Sequence, residues 1–297
     1  MTRKRRKTRH PTPLSGEQRA LREVAGLERD LARVMDPRLA EVDIEQLTDG
    51  IAALLLLARR ARTLHKGLVW LVRAPGGVNA AYPVTRTIVE VAVTAFWIAE
   101  HPASRSRLWF AESYRQEAAQ LRERADLIHD GIELPGGITE ADLRAWASQR
   151  VAWREENLER ARELAQRDGV AFNKEAARGP QQMVSQVVKE RPEFIRLRSA
   201  YLDAYRPLSG PAHGGPRGFA DDQLRRDDAG TQRLDENVPG FVDELPLRAL
   251  AITTTAAMFG RIETDLQLNA MEELLAIHER AMLLDRHVDP EAPKAPR

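Results

Sequence analysis

Tyr205-Arg206-Pro207-Leu208-Ser209-Gly210-Pro211-Ala212-His213 brings four chemically capable side chains into one short segment. Arg206 stays charged at any physiological pH, and an imidazole such as that of His213 ordinarily titrates near neutrality. A guanidinium and an imidazole held together suit phosphodiester chemistry. The Arg stabilises charge on a phosphorane-like transition state, and the His moves the proton of a ribose 2′-hydroxyl. Tyr205 and Ser209 are candidate supporting groups. Ser209 has no activating base unless His213 reaches it, so it is not read as a nucleophile. Tyr, Arg, Ser and His at a helix–loop junction also serve simply to satisfy buried backbone groups, and both readings stay open.

A second polar constellation lies far upstream. Glu90 sits in Ile88-Val89-Glu90-Val91-Ala92-Val93, within a run that is otherwise free of charge from Thr87 to Ala99. At helical spacing Arg86, Glu90, Val93 and Trp97 share a face. A carboxylate on so apolar a helix is expected to be buried and therefore paired. The pair either fixes packing or lets Glu90, with Arg86, orient a cationic or catalytic group from another helix.

Composition narrows the classes. The 297 residues include no cysteine, which removes disulfides, thiol catalysis and cysteine-bearing zinc sites. P-loop, dinucleotide-fingerprint, nucleophile-elbow and His-Glu-x-x-His patterns are missing. Asp126-x-x-His129 occurs once and reads as a helix terminus. Asp221-Asp222 and Asp227-Asp228 are interrupted by Arg225 and Arg226 and read as a solvated face, with Asp222 and Arg226 at helix-pair spacing. No metal and no cofactor are expected. The formal charge is +1, but six cations (Arg3, Lys4, Arg5, Arg6, Lys7 and Arg9) lie in the first ten residues, leaving 39 basic and 44 acidic residues in the rest. The body is mildly acidic and the basicity is an arm. Such an arm can bind a nucleic-acid backbone without reading sequence, or serve as a solubilising or ribosome-exit tail. No segment reaches the roughly 20 apolar residues a membrane span requires, and no secretory signal is legible, so a cytoplasmic protein without a membrane is expected.

The elements that must position these residues read as helices throughout. Residues 1–14 form a disordered basic arm, 15–218 a helical bundle core, 219–288 a C-terminal helical segment packing on that core, and 289–297 a disordered tail. Ser15-x-x-Gln18 opens the first helix, which Asp36-Pro37 should stop. Asp49 is expected to cap a second helix running to Arg73, and Pro83 to start a third that ends at His101-Pro102. A fourth covers 103–130. Thr139-x-x-Asp142 opens a fifth that reaches Asp168-Gly169. Shorter helices are expected at 180–190 and 192–206, then one long helix from Pro246 to His287. No period-two run of β-branched residues appears, so strands are not expected and the fold class is all-α: a bundle of long antiparallel helices joined by short Pro/Gly turns. Trp97, Trp109, Trp146 and Trp153 are expected mainly in helix packing. The Trp109–Phe110 pair is a candidate subunit contact, and the last helix, with Leu266, Leu274, Leu275, Met282 and Leu283, is either another or, more ordinarily, packs within the same chain.

Arg86 with Glu90, followed by Tyr205, Leu208, Ser209 and His213, resembles an uncharacterised bacterial all-helical family. That family carries Arg-x-x-x-Glu on an apolar helix and a later Tyr-x-x-Leu-Ser-x-x-x-His segment. The spacing of Arg206 and His213 is more loosely similar to the HEPN superfamily, helical proteins of toxin–antitoxin and antiphage systems. Many of these are metal-independent ribonucleases that pair an Arg and a His at a dimer interface. Here Pro207 follows the Arg where HEPN ribonucleases usually carry a polar residue, and the motif lies in a Pro/Gly loop rather than on a helix. The resemblance implies an endoribonuclease or defence effector, homo-oligomeric, acting on RNA, with a protein partner from the same defence or toxin system. The competing expectation is a non-catalytic helical scaffold that binds protein or nucleic acid.

Overall fold

The structure is a computed structural model, and it describes residues 16–43, 45, 47–74, 77–195, 197–198, 201–202, 224–226, 232–234 and 241–286. Its α-helices, in chain order, are α1 (Gly16–Glu41), α2 (Asp49–Leu71), α3 (Gly77–Glu100), α4 (Pro102–His129), α5 (Glu140–Arg167), α6 (Pro180–Glu190), α7 (Phe241–Leu266) and α8 (Met271–Arg286). The fold class is all-α, as the sequence pattern requires. A small antiparallel ribbon, β1 (Leu224–Arg226) with β2 (Gln232–Leu234), interrupts it, with Arg225 opposite Arg233. The expectation of no strands is corrected there, and Arg226, which the sequence placed at helix-pair spacing from Asp222, lies in a strand.

The most apolar helix is also the most enclosed. Every residue from Val91 to Ala99 on α3 is buried. A helix apolar on all sides must be surrounded, and α2, α4, α6 and α7 pack against this one. On the far side α1 contributes Val24, Leu27, Leu31, Val34 and Met35 at helical spacing, all buried, and α8 lies along α1 and α7. At the start of α2 the chains come very close: a Cβ on Gly50 would stand 2.5 Å from the Pro102 carbonyl carbon. Only glycine fits that crossing. Arg107, from the second turn of α4, ties it down by reaching Asp49 and, at 3.2 Å, Asn157 of α5.

Several expected boundaries move. Pro37 lies inside α1, which continues to Glu41. An internal proline removes one backbone hydrogen bond and crowds the preceding turn. Here Arg38 donates to the Val34 carbonyl at 2.8 Å, and Leu39 is drawn into the core, so the last turn persists. Thr48, not Asp49, is the N-cap of α2. Pro83 and Pro246 fall within α3 and α7 rather than at their starts. The capping box at Thr139 and Asp142 forms as the sequence indicates, with the Asp142 N–H donating to Thr139 Oγ1 and the Thr139 N–H to Asp142 Oδ2.

The single long C-terminal helix expected from Pro246 to His287 is two helices. α7 closes with the Leu268 N–H donating to Glu263 O and the Gln267 N–H to Thr264 O, and Gln267 adopts φ 53°. This is the helix-ending arrangement that Gly131 and Gly169 make after α4 and α5, built on glutamine instead. Of the residues named for this region, Leu266 and Leu274 are buried, while Leu275, Met282 and Leu283 stand exposed.

Candidate functional site

On α3 the Arg86 Nε donates to Glu90 Oε1 at 3.0 Å, one turn along the helix. The expectation that Glu90 is buried is corrected in degree: its side chain is 29% exposed and that of Arg86 is 17% exposed. Further along the same face, Val93 and Trp97 are fully covered. The cover is α6. Thr94 Oγ1 approaches Met183 Sδ at 3.6 Å and Trp97 Nε1 donates to Gln186 Oε1 at 3.0 Å, both across 89 residues of sequence. That constant offset makes α3 and α6 parallel and places Gly179, just before α6, at the level of Glu90. The Arg86–Glu90 pair therefore sits where the cover of α6 begins.

The end of α6 is anchored by a polar network. Arg105, buried on α4, donates to the Trp97 carbonyl at 2.8 Å and to Glu190, and its guanidinium lies 5.4 Å from the Trp97 ring centroid. Gln186 Nε2 donates to Glu190 Oε1 at 2.8 Å. Burial lowers the His101 pKa, and Arg105 beside it acts in the same direction. After the turn at Pro192–Phe194, Phe194 meets Phe96 edge-on with ring centroids 6.0 Å apart. Tyr201 is buried in the core cluster that includes Val89 and Val93, and Leu202 packs against that cluster. Tyr205, Arg206, Ser209 and His213 lie outside the described residues, as do Asp221, Asp222, Asp227, Asp228 and the cations Arg3, Lys4, Arg5, Arg6, Lys7 and Arg9.

A second polar cluster, between α1, α2 and α7, escaped the sequence reading. Arg248 is gripped by Glu28 and Glu244, and Arg62 by Asp36, whose other oxygen meets Lys66 Nζ at 3.1 Å. Burial tends to raise the Asp36 pKa, but the ion pairs with Arg62 and Lys66 outweigh it and hold the carboxyl low. Completely buried among these groups, His65 places Nδ1 3.4 Å from Thr255 Oγ1. Burial first, then the charges of Arg62 and Arg248, push the imidazole pKa down to about 3. His65 is therefore held neutral near pH 7 and is closed to solvent in the interior between α1, α2 and α7. Its signal was present in the sequence: Glu28 falls in the apolar stripe of Val24, Leu31 and Met35, as Glu90 does in its own helix.

Of the remaining named residues, Asp126 and His129 lie at the end of α4, where they meet Arg144 and Glu140 of α5. Trp97 is in the core and Trp109 is partly buried; Trp153, though 37% exposed, packs on Tyr114 of α4, and Trp146 is 43% exposed. Among the described residues no group of three or more His, Asp or Glu is placed to hold a metal ion, and no helix is long and apolar enough to cross a membrane. The described surface has a shallow hollow beside Arg115, Arg154, Lys174 and Arg178, with Glu112 and Glu175 on the same wall. Residues 51–231 match DUF5677, a family of unknown function. No curated protein and no solved structure matches the chain.

Proposed function

The chain belongs to DUF5677, and we propose that it is a HEPN-like, metal-independent endoribonuclease acting as a toxin or antiphage-defence effector in the cytoplasm. In this reading Arg206 stabilises the phosphate and His213 is the acid/base, while Arg86, Glu90, Tyr205 and Ser209 support them. His213 removes the proton of a ribose 2′-hydroxyl, whose oxygen attacks the adjacent phosphorus. The bond to the 5′-oxygen breaks, and that oxygen takes up a proton, leaving a 2′,3′-cyclic phosphate and a 5′-hydroxyl. The basic arm from Arg3 to Arg9 adds attraction for the RNA backbone.

The observation that supports this reading is the position of the Arg86–Glu90 pair. It is fixed on the most rigidly enclosed helix, yet part-exposed where the cover of α6 begins. The chain reaches Tyr201 and Leu202 from the same core cluster, and Arg206 follows four residues later, at most about 14 Å of extended chain. The competing reading, a non-catalytic scaffold for protein or nucleic acid, draws support from Arg86 and Glu90 binding each other.

Purified protein incubated with RNA in the presence of a chelator separates the two. The nuclease reading requires cleavage with 2′,3′-cyclic phosphate ends, lost in Arg206→Ala/His213→Ala while the thermal midpoint holds. Intact RNA with wild type, or equal cleavage by the double variant, leaves the scaffold.

A further inference from the structure

α4 carries two seams. Ala111, Ala118 and Ala125, one heptad apart and all buried, face α5, where Leu143 and Ala147 answer them. Small residues let the two helices approach closely and leave most of the larger side chains from Phe110 onward off that seam. Those lie on a second stripe: Phe110, Tyr114, Leu121 and Ile128, with Glu117 and Arg124 at the intervening heptad positions. Phe110 packs against the core, and beyond it the stripe leaves the body on the projecting α4–α5 hairpin.

α5 adds its own aromatic groups to the same side. The Tyr114 and Trp153 rings lie 5.5 Å apart, the Arg150 guanidinium covers Trp153 at 4.4 Å, and Arg150 Nε donates to Glu117 Oε2 at 2.6 Å. Each step outward along α4 is thus a step backward along α5, and the next level pairs Leu121 with Trp146. The opposite side of the hairpin is polar, with Asp126, Glu140 and Arg144 joined in ion pairs.

We propose that this face is the contact between two copies of the chain, packed antiparallel about a two-fold axis at Leu121 and Trp146. Charge selects the occupant. Glu117 lies four residues before Leu121 and Arg124 three residues after it. A two-fold axis at that level sets Glu117 of each copy opposite Arg124 of the other, twice, as an isologous interface demands. Arg124 has no acidic partner among the described residues, and Glu117, Gln120, Leu121, Arg124 and Arg150 together border a shallow hollow able to receive a side chain. The same rotation brings Tyr114 and Trp153 over Ile128 of the second copy. Nucleic acid is the poorer occupant, because residues 112–156 carry 10 acidic and six basic residues.

The test is the mass of the full chain in solution, by sedimentation across a concentration series. Wild type is expected to dimerise, and Arg124→Glu to raise the dimer dissociation constant at least tenfold with helical content unchanged. The chain has no cysteine, so Leu121→Cys supplies a second measurement. It should form a self-disulfide on mild oxidation, whereas Ala119→Cys, on the opposite side, should not. A monomeric wild type, a dimer indifferent to Arg124→Glu, or equal cross-linking at both positions overturns the proposal.

Discussion

Arg248 holds Glu28 with two prongs, Nε to Oε1 at 2.7 Å and Nη2 to Oε2 at 2.6 Å, across 220 residues of sequence. Both side chains are at least 94% buried. The pair joins the first helix to the seventh through the interior, with Glu244 as a further acceptor. Removing one member strands the other charge, so Arg248→Met should destabilise by about 3–5 kcal/mol in chemical denaturation. The double variant Glu28→Leu/Arg248→Met should recover much of that loss. A double variant as unstable as the sum of the singles would show that the two groups act independently.

His65 sets a limit in acid. Its folded pKa of about 3 lies below the ordinary 6.5, so between these values the unfolded chain binds a proton that the folded chain refuses. Stability is unaffected above about pH 6.5 and declines as pH falls below it. At pH 5 the loss from this residue alone is about 2 kcal/mol. His65→Leu, measured by denaturant midpoints at pH 7 and pH 5, should remove most of the decline in that interval. An unchanged difference between the two midpoints would assign it elsewhere.

Gln267 and Asn269 have positive φ in the turn between α7 and α8, at 53° and 49°. Glycine adopts that conformation without the steric cost a side chain incurs. Gln267→Gly should therefore raise stability by about 1 kcal/mol and lift the thermal midpoint by a few degrees. A fall in the midpoint would mean the glutamine side chain contributes more than its backbone costs.

Gly50 makes the opposite case. Its missing Cβ would lie 2.5 Å from backbone of Pro102, which cannot rotate aside. Gly50→Ala should cost about 1–3 kcal/mol by forcing α2 and α4 apart. Gly67, whose Cβ would meet nothing within 4 Å, is the control, and its alanine variant should be neutral or stabilising.

The sequence revealed the helices wherever their punctuation was local. Thr139 and Asp142 announce α5 by binding each other's backbone, and Pro180 opens α6 where its missing N–H costs nothing. The break after Leu266 carried no such mark, because glutamine occupies a position where glycine is the usual signal. Pro37 misled for the converse reason: a distant core and the Arg38 side chain sustain a turn that local rules would end. The exposure of Trp146 and Trp153 was illegible for a third reason. Helical spacing tells which residues share a face, but not whether anything covers it. At the candidate site, the pairing of Arg86 with Glu90 followed from spacing alone, whereas their partial exposure depends on where α6 starts.

The match to DUF5677 begins within α2 and stops before α7. The helices that complete the core lie on either side of it. Leu27, Leu31 and Met35 from α1, and Ile252 and Phe259 from α7, are among the largest side chains wholly removed from solvent. What is inherited as a recognisable unit is thus smaller than what folds as one. A fragment of residues 51–231 expressed alone should be insoluble or molten by near-ultraviolet circular dichroism. A chain limited to that stretch would leave bare the faces of α2 and α3 that α1 and α7 cover here.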